Sequence, residues 1–192
     1  MKDRLALLAT LEDLDRRLRR SWSRLLPVPS SLDSYRRDWE GTFEGEAIPA
    51  TQDELLLSAA AADPLLVGDY HSLSRPQDRL GFLLGAIDPG TEMGLILELL
   101  SMPLLLPARD ILGNPSIKLV DGRSAADTYR KPLTTLADRR GLVAGAWVGG
   151  GVRRRDAAAA RLWKKLAGRY PKHHWTLFFG DWHLAPSHLP EC

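Results

Sequence analysis

Four short apolar runs punctuate the last two-thirds of this 192-residue chain, with helical patterns between them. They are LLVGD (65–69), MGLILELL (93–100), LVAGAWV (142–148) and WTLFFGD (175–181). Each is apolar at consecutive positions, the signature of a strand covered on both faces, and each is too short for a buried helix. Asp53 to Ala62, Ser74 to about Ile87, Ala125 to Arg140 and 153–169 carry helical patterns, with Asp53 as the expected N-cap and Gly141 closing the third. Strands alternating with helices predict an α/β fold, a mostly parallel sheet flanked by helices. Residues 101–124, with prolines at 103, 107 and 115, show no period and read as an irregular loop.

The N-terminal part has a different texture. Leu5, Leu8, Leu11 and Leu18 are spaced for an amphipathic helix ending before Pro27, and PVPSSLDS supplies turn chemistry after it. Tyr35, Trp39 and Phe43 stand four apart and share one helical face, as a helix docking on a body would arrange them. The expected division is a helical extension over 1–52 and an α/β domain over 53–192.

The charge balance is near neutral, 26 Lys and Arg against 24 Asp and Glu, with the signs interleaved, which gives no nucleic-acid footprint. The single cysteine, Cys192, allows neither an internal disulfide nor a thiolate metal site. No apolar run reaches the length of a membrane span, and the N-terminus lacks the apolar core of a secretory signal, so the expected location is cytoplasmic.

Two of the four runs end alike. LLVGDYHSL (65–73) and LFFGDWHLA (177–185) both finish in Gly-Asp-aromatic-His. In a parallel sheet all carboxyl ends share one rim, where ligands bind. In extended chain, Asp69 and His71 project to one side, as do Asp181 and His183, so the two pairs are expected to converge. Glu98 interrupts the apolar run MGLILELL, and a carboxylate there needs a partner, for which the two histidines are the candidates. Such a set suits either a metal ion, with iron, manganese or zinc as candidates, or a carboxylate-oriented histidine that moves a proton. The bland alternative is that each Asp caps a helix and each His satisfies a carbonyl.

Other polar features also admit two readings. In GGGVRRRDAAAA (149–160), Arg153, Arg154 and Arg155 open a helix, where their charge opposes the helix dipole unless an anion sits beside them. The competing reading is a solvated basic turn offset by Asp156. His188 in APSHLP reads as a surface-loop residue or an additional ligand. His173 and His174 precede the fourth run, at the opposite rim from the site.

LLVGDYHSL with the downstream GLILELL, then YRKPL (129–133), RRRDAAAARL (153–162) and FFGDWHLAPSHLP (179–190), resembles the ChaN-like haem-binding uptake proteins. That group belongs to the superfamily including Tiki, TraB and the erythromycin esterases. The resemblance implies an α/β fold with a pocket built from both tetrads and the intervening glutamate. His71, Glu98 and His183 match the shared polar set, and Asp69 stands where many relatives carry Glu. It further implies either a haem or divalent-metal site or a hydrolase activating water with histidine and glutamate. For haem, the axial ligand would be His71, His183 or Tyr70, with Arg153 and Arg155 near the propionates. A metal would draw on His71, His183, Asp69, Asp181 and Glu98. The chain departs from the pattern: it carries no lipidated cysteine and stops soon after the second tetrad, which suggests a truncated or degenerate member. The expected partner is a small molecule or haem, and an incomplete sheet edge would suit a homodimer.

Overall fold

The structure, a computed structural model, describes residues 10, 13, 30–42, 50–69 and 75–192. The expected helix over 5–26 falls almost wholly outside them, as do Phe43, Tyr70 and His71. The chain divides into two compact units, Met1–Ser34 and Tyr35–Cys192, and the second holds the whole sheet.

Five strands form that sheet: β1 (Leu65–Asp69), β2 (Glu92–Ser101), β3 (Leu105–Pro107), β4 (Leu142–Trp147) and β5 (His173–Gly180), in the order β1-β5-β2-β4-β3. Every pairing is parallel except β3 with β4. The fold is therefore α/β with a mostly parallel sheet flanked by helices. The helices are α1 (Ser30–Gly41), α2 (Gln52–Ala61), α3 (Arg75–Ala86), α4 (Ala108–Leu112), α5 (Ala125–Thr128), α6 (Arg130–Asp138) and α7 (Val152–Arg169). Short 3₁₀ turns at Asp181–Leu184 and Leu189–Glu191 come after β5.

The alternation of side chains along the strands sorts the core into two layers. Leu95 and Leu97 of β2, Val143 of β4 and Phe178 of β5 pack with Leu80 and Leu84 of α3 and Leu133 and Leu136 of α6. Ile96, Ala144, Ala146, Leu177 and Phe179 face α7 through Ala159, Ala160 and Leu166. Small residues on both sides of that second interface let α7 lie close against the sheet.

Several local expectations change. Thr51, not Asp53, caps α2: its hydroxyl accepts from Glu54 N at 3.2 Å, and Glu54 Oε2 accepts from Thr51 N at 2.7 Å. That reciprocal pair satisfies two helix-end donors where Asp53 would satisfy one. β1 is an edge strand with a half-buried middle rather than a strand covered on both faces. The stretch 101–124 contains β3 and α4, elements too short to leave a period in sequence. The helix over 125–140 breaks at Tyr129, and Arg140, not Gly141, takes the positive φ of 55°.

The most consequential feature is where β5 goes. The last strand inserts between β1 and β2, so the second tetrad emerges with Asp69 on one flank and Glu98 on the other.

Candidate functional site

Four elements deliver side chains to the carboxyl rim of the sheet. β2 carries Glu98 past its last pairing with β5, Leu97 with Phe178, where the strand's register shifts. β5 ends at Gly180 and turns at once into the 3₁₀ segment that carries His183. α7 brings Arg155 and Asp156 in its first turns, and α1 brings Tyr35.

Glu98, His183 and Asp156 are each at most 5% exposed. Glu98 Oε2 accepts from the Gly180 backbone N–H at 2.7 Å, and Glu98 Oε1 accepts from Arg155 Nη1 at 3.0 Å. His183 Nε2 lies 3.2 Å from the same Oε1. On the other side of the ring, Nδ1 hydrogen-bonds Asp156 Oδ1, and the Tyr35 hydroxyl donates to Asp156 Oδ2 at 2.9 Å. The arrangement is a continuous chain: Arg155, Glu98, His183, Asp156, Tyr35. Arg155 also lies over the Trp147 ring at 4.7 Å, which orients the guanidinium.

The electrostatics derive from this geometry. Burial alone pushes the His183 pKa down, but the contacts with Asp156 and Glu98 outweigh it and raise it to about 9. His183 is thus an imidazolium at neutral pH. With Arg155 it sets two cationic side chains against the two buried carboxylates, the pairing that makes burial of such groups tolerable. Burial, with the Asp156 hydrogen bond second, raises Tyr35 well above the ordinary phenol value, so it stays a neutral donor.

The structure brings some of the sequence candidates together and separates others. Glu98 and His183 meet as expected. Asp69 is buried and accepts from Gln77 Nε2 at 2.8 Å, pairing across to Gly180 in the β1–β5 register. Asp181 lies above the end of β1: a methyl on Gly68 would sit 1.8 Å from Asp181 Oδ1, so any larger residue there displaces the Asp181 side chain. The expectation that Asp181 and His183 project together from extended chain fails, because 181–184 is a 3₁₀ turn. Arg155 does not await an external anion. The anion at this helix start is the protein's own Glu98, while Arg153 and Arg154 are exposed. His188 is not a surface-loop residue but 5% exposed, hydrogen-bonded to Trp182 O at 2.7 Å and Asp38 Oδ2 at 2.9 Å, with Tyr35 stacked on it at 3.7 Å. His173 and His174 sit at the amino rim as expected. Tyr70 and His71 lie outside the described residues.

Sequence reasoning missed two members, Asp156 and Tyr35. The signal for Asp156 was present. It is the single acid in a helix with seven Lys and Arg, and it is spaced three and four residues before Ala159 and Ala160 on the apolar stripe. Tyr35 carried a docking signal, but nothing local tied it to Asp156, 121 residues away.

Both ring nitrogens of His183 contact carboxylates, so ligation through either would break a charged contact in a buried setting. Among the described residues, no group of three or more His, Cys, Asp and Glu is disposed to hold a metal ion.

No family model matches the sequence, and no curated protein matches it. Comparison with solved structures finds two matches. The type III effector HopBA1 is 14% identical over 68% of this chain and 72% of its own, with a TM-score of 0.50. RRSP, a MARTX toxin effector domain from Vibrio vulnificus CMCP6, is 17% identical over 80% of this chain and 36% of its own, with a TM-score of 0.39. At this identity the HopBA1 likeness concerns the α/β fold alone. Among the described residues, no helix is long and apolar enough to cross a membrane.

Proposed function

We propose that this chain is a hydrolase of the superfamily containing the ChaN-like proteins, Tiki, TraB and the erythromycin esterases, acting on an ester or amide through Glu98 and His183. The carrying observation is the 3.2 Å approach of His183 to Glu98 at the carboxyl rim, with Asp156 fixing the far side of the ring. In this reading Glu98 accepts a proton from the attacking water, which adds to the acyl carbon. Arg155 stabilises the negative charge that develops on the acyl oxygen, and His183, held between Asp156 and Glu98, positions the glutamate. Collapse expels the alcohol or amine, which takes up the proton from Glu98. Water has then been added across the scissile bond, and the site is restored. His71, the first tetrad's counterpart to His183, is the second histidine that the resemblance implies for this reaction.

The test is a panel of p-nitrophenyl and peptidyl esters assayed with wild type, Glu98→Gln and His183→Asn, beside a hemin titration monitored in the Soret band. Loss of about 10²–10⁴-fold in turnover by Glu98→Gln, with folding intact by circular dichroism, is the expected result. Wild-type turnover in Glu98→Gln overturns the reading. So does an inert panel combined with a Soret shift that His183→Ala abolishes, which would make the site a haem-binding one.

A further inference from the structure

Helix α7 carries two ladders side by side, and the Glu98–His183 cluster uses neither. Ala158, Leu162 and Leu166 recur every four residues on one stripe, and Arg161, Lys165 and Arg169 recur every four on the next. Both line a groove of about 460 Å³, closed on its other side by Met102, Leu104 and Leu105 ahead of and within the edge strand β3. Leu104, Leu105 and Leu162 are only half-buried, although the core beneath them is tightly packed. Arg161, Lys165 and Arg169 are exposed, and among the described residues no carboxylate pairs with any of them.

From this juxtaposition we infer that the groove between α7 and β3 docks an acidic amphipathic helix of a protein partner. The spacing decides between a helix and a point ligand. Three cations four residues apart span about 12 Å along α7. A single carboxylate or phosphate would engage one of them and leave two unsatisfied. A partner helix repeats on the same pitch, so acids at i, i+4 and i+8 match the cation ladder while leucines one stripe over enter the apolar floor. Apolar contact then supplies the affinity, and the charges set orientation and speed of encounter. The groove lies at the β3 edge of the sheet, the opposite edge from β1.

The probe is a fluorescein-labelled helical peptide of about 15 residues carrying Glu at i, i+4 and i+8 with an adjacent leucine ladder, with anisotropy measured on the full chain. Saturable binding is expected, weakened about tenfold from low to high salt and lost in Arg161→Glu, Lys165→Glu, Arg169→Glu. Because all three residues are exposed, that variant should keep the wild-type melting temperature. If it does not, Leu162→Asp read against the same peptide replaces it. A peptide with Lys in place of Glu should bind the charge-reversed variant and not wild type. No saturable binding by wild type overturns the inference, as does equal binding by the charge-reversed protein. Co-sedimentation with phosphatidylglycerol vesicles that depends on the same three cations, without peptide binding, also overturns it and assigns the groove to a membrane surface.

Discussion

The two ends of the β2–β5 strand pair carry the same chemistry with opposite consequences. At the amino end, His173 Nδ1 lies 3.2 Å from Glu92 Oε2; at the carboxyl end, His183 Nε2 lies 3.2 Å from Glu98 Oε1. Residue types and distances match. What differs is the surroundings: the Glu92 side chain is 59% exposed and that of Glu98 is 3% exposed. The first contact also lacks hydrogen-bonding geometry, whereas the second belongs to a network that adds Arg155, Gly180, Asp156 and Tyr35. A histidine–glutamate pair acquires a fixed charge state only where water is excluded and every other lone pair has a donor. The carboxyl rim of this sheet is the one whose pair is enclosed.

The sharpest way to break the comparison is to remove one buried member. Asp156→Ala strands a protonated imidazole and the Tyr35 hydroxyl, and is expected to cost about 3–5 kcal/mol, read as a fall in urea midpoint at unchanged slope. A cost below ~1 kcal/mol would make the two ends equivalent. The pH dependence is next. The His183 pKa is raised from 6.5 to about 9, so the stabilisation is fully present below 6.5 and is lost as pH rises through about 9. It is worth roughly 3 kcal/mol. The difference in unfolding free energy between wild type and His183→Gln should therefore shrink between those values, and a constant difference would contradict the charge assignment. Tyr35→Phe removes one hydrogen bond to a charged acceptor and should cost about 1.5–3 kcal/mol, with the imidazole resonances of His183 shifting in NMR spectra. His173→Gln at the open end should change stability by less than ~1 kcal/mol, since the pair there is solvated.

Two glycines sharpen the same contrast. A methyl on Gly94, near the amino end of β2, would come within 2.3 Å of the fully buried Trp175 ring, which has no room to retreat. A methyl on Gly68, near the carboxyl end of β1, meets the tip of Asp181, a short polar side chain at a partly exposed position. Gly94→Ala should destabilise by about 1–3 kcal/mol through overpacking, and Gly68→Ala by less, with its effect falling on the geometry around Asp181.

Much of the architecture was legible because it is written in short-range periodicity. The runs 65–69, 93–100, 142–148 and 175–181 became β1, β2, β4 and β5 within one or two residues, and the helix over 153–169 became α7. β3 and α4 were not legible, because three and five residues are too few to establish a period. At the rim, Glu98 announced itself as a charge inside an apolar run, and His183 through the repeated tetrad. Asp156 could be read only by asking which face of α7 it occupies, and Arg155 only by knowing which anion it meets.

The sequence by itself determined that this chain forms an α/β sheet and that a glutamate and a histidine stand at strand ends, since side-chain alternation and the cost of a lone buried carboxylate are local facts. Only the tertiary structure decided that β5 inserts between β1 and β2, that α7 supplies both the counter-ion of Glu98 and the anchor of His183, and that α1 closes the chain of hydrogen bonds. Strand order and helix facing arise from packing between segments far apart in the chain, and no pattern within one segment records which distant surface it will cover.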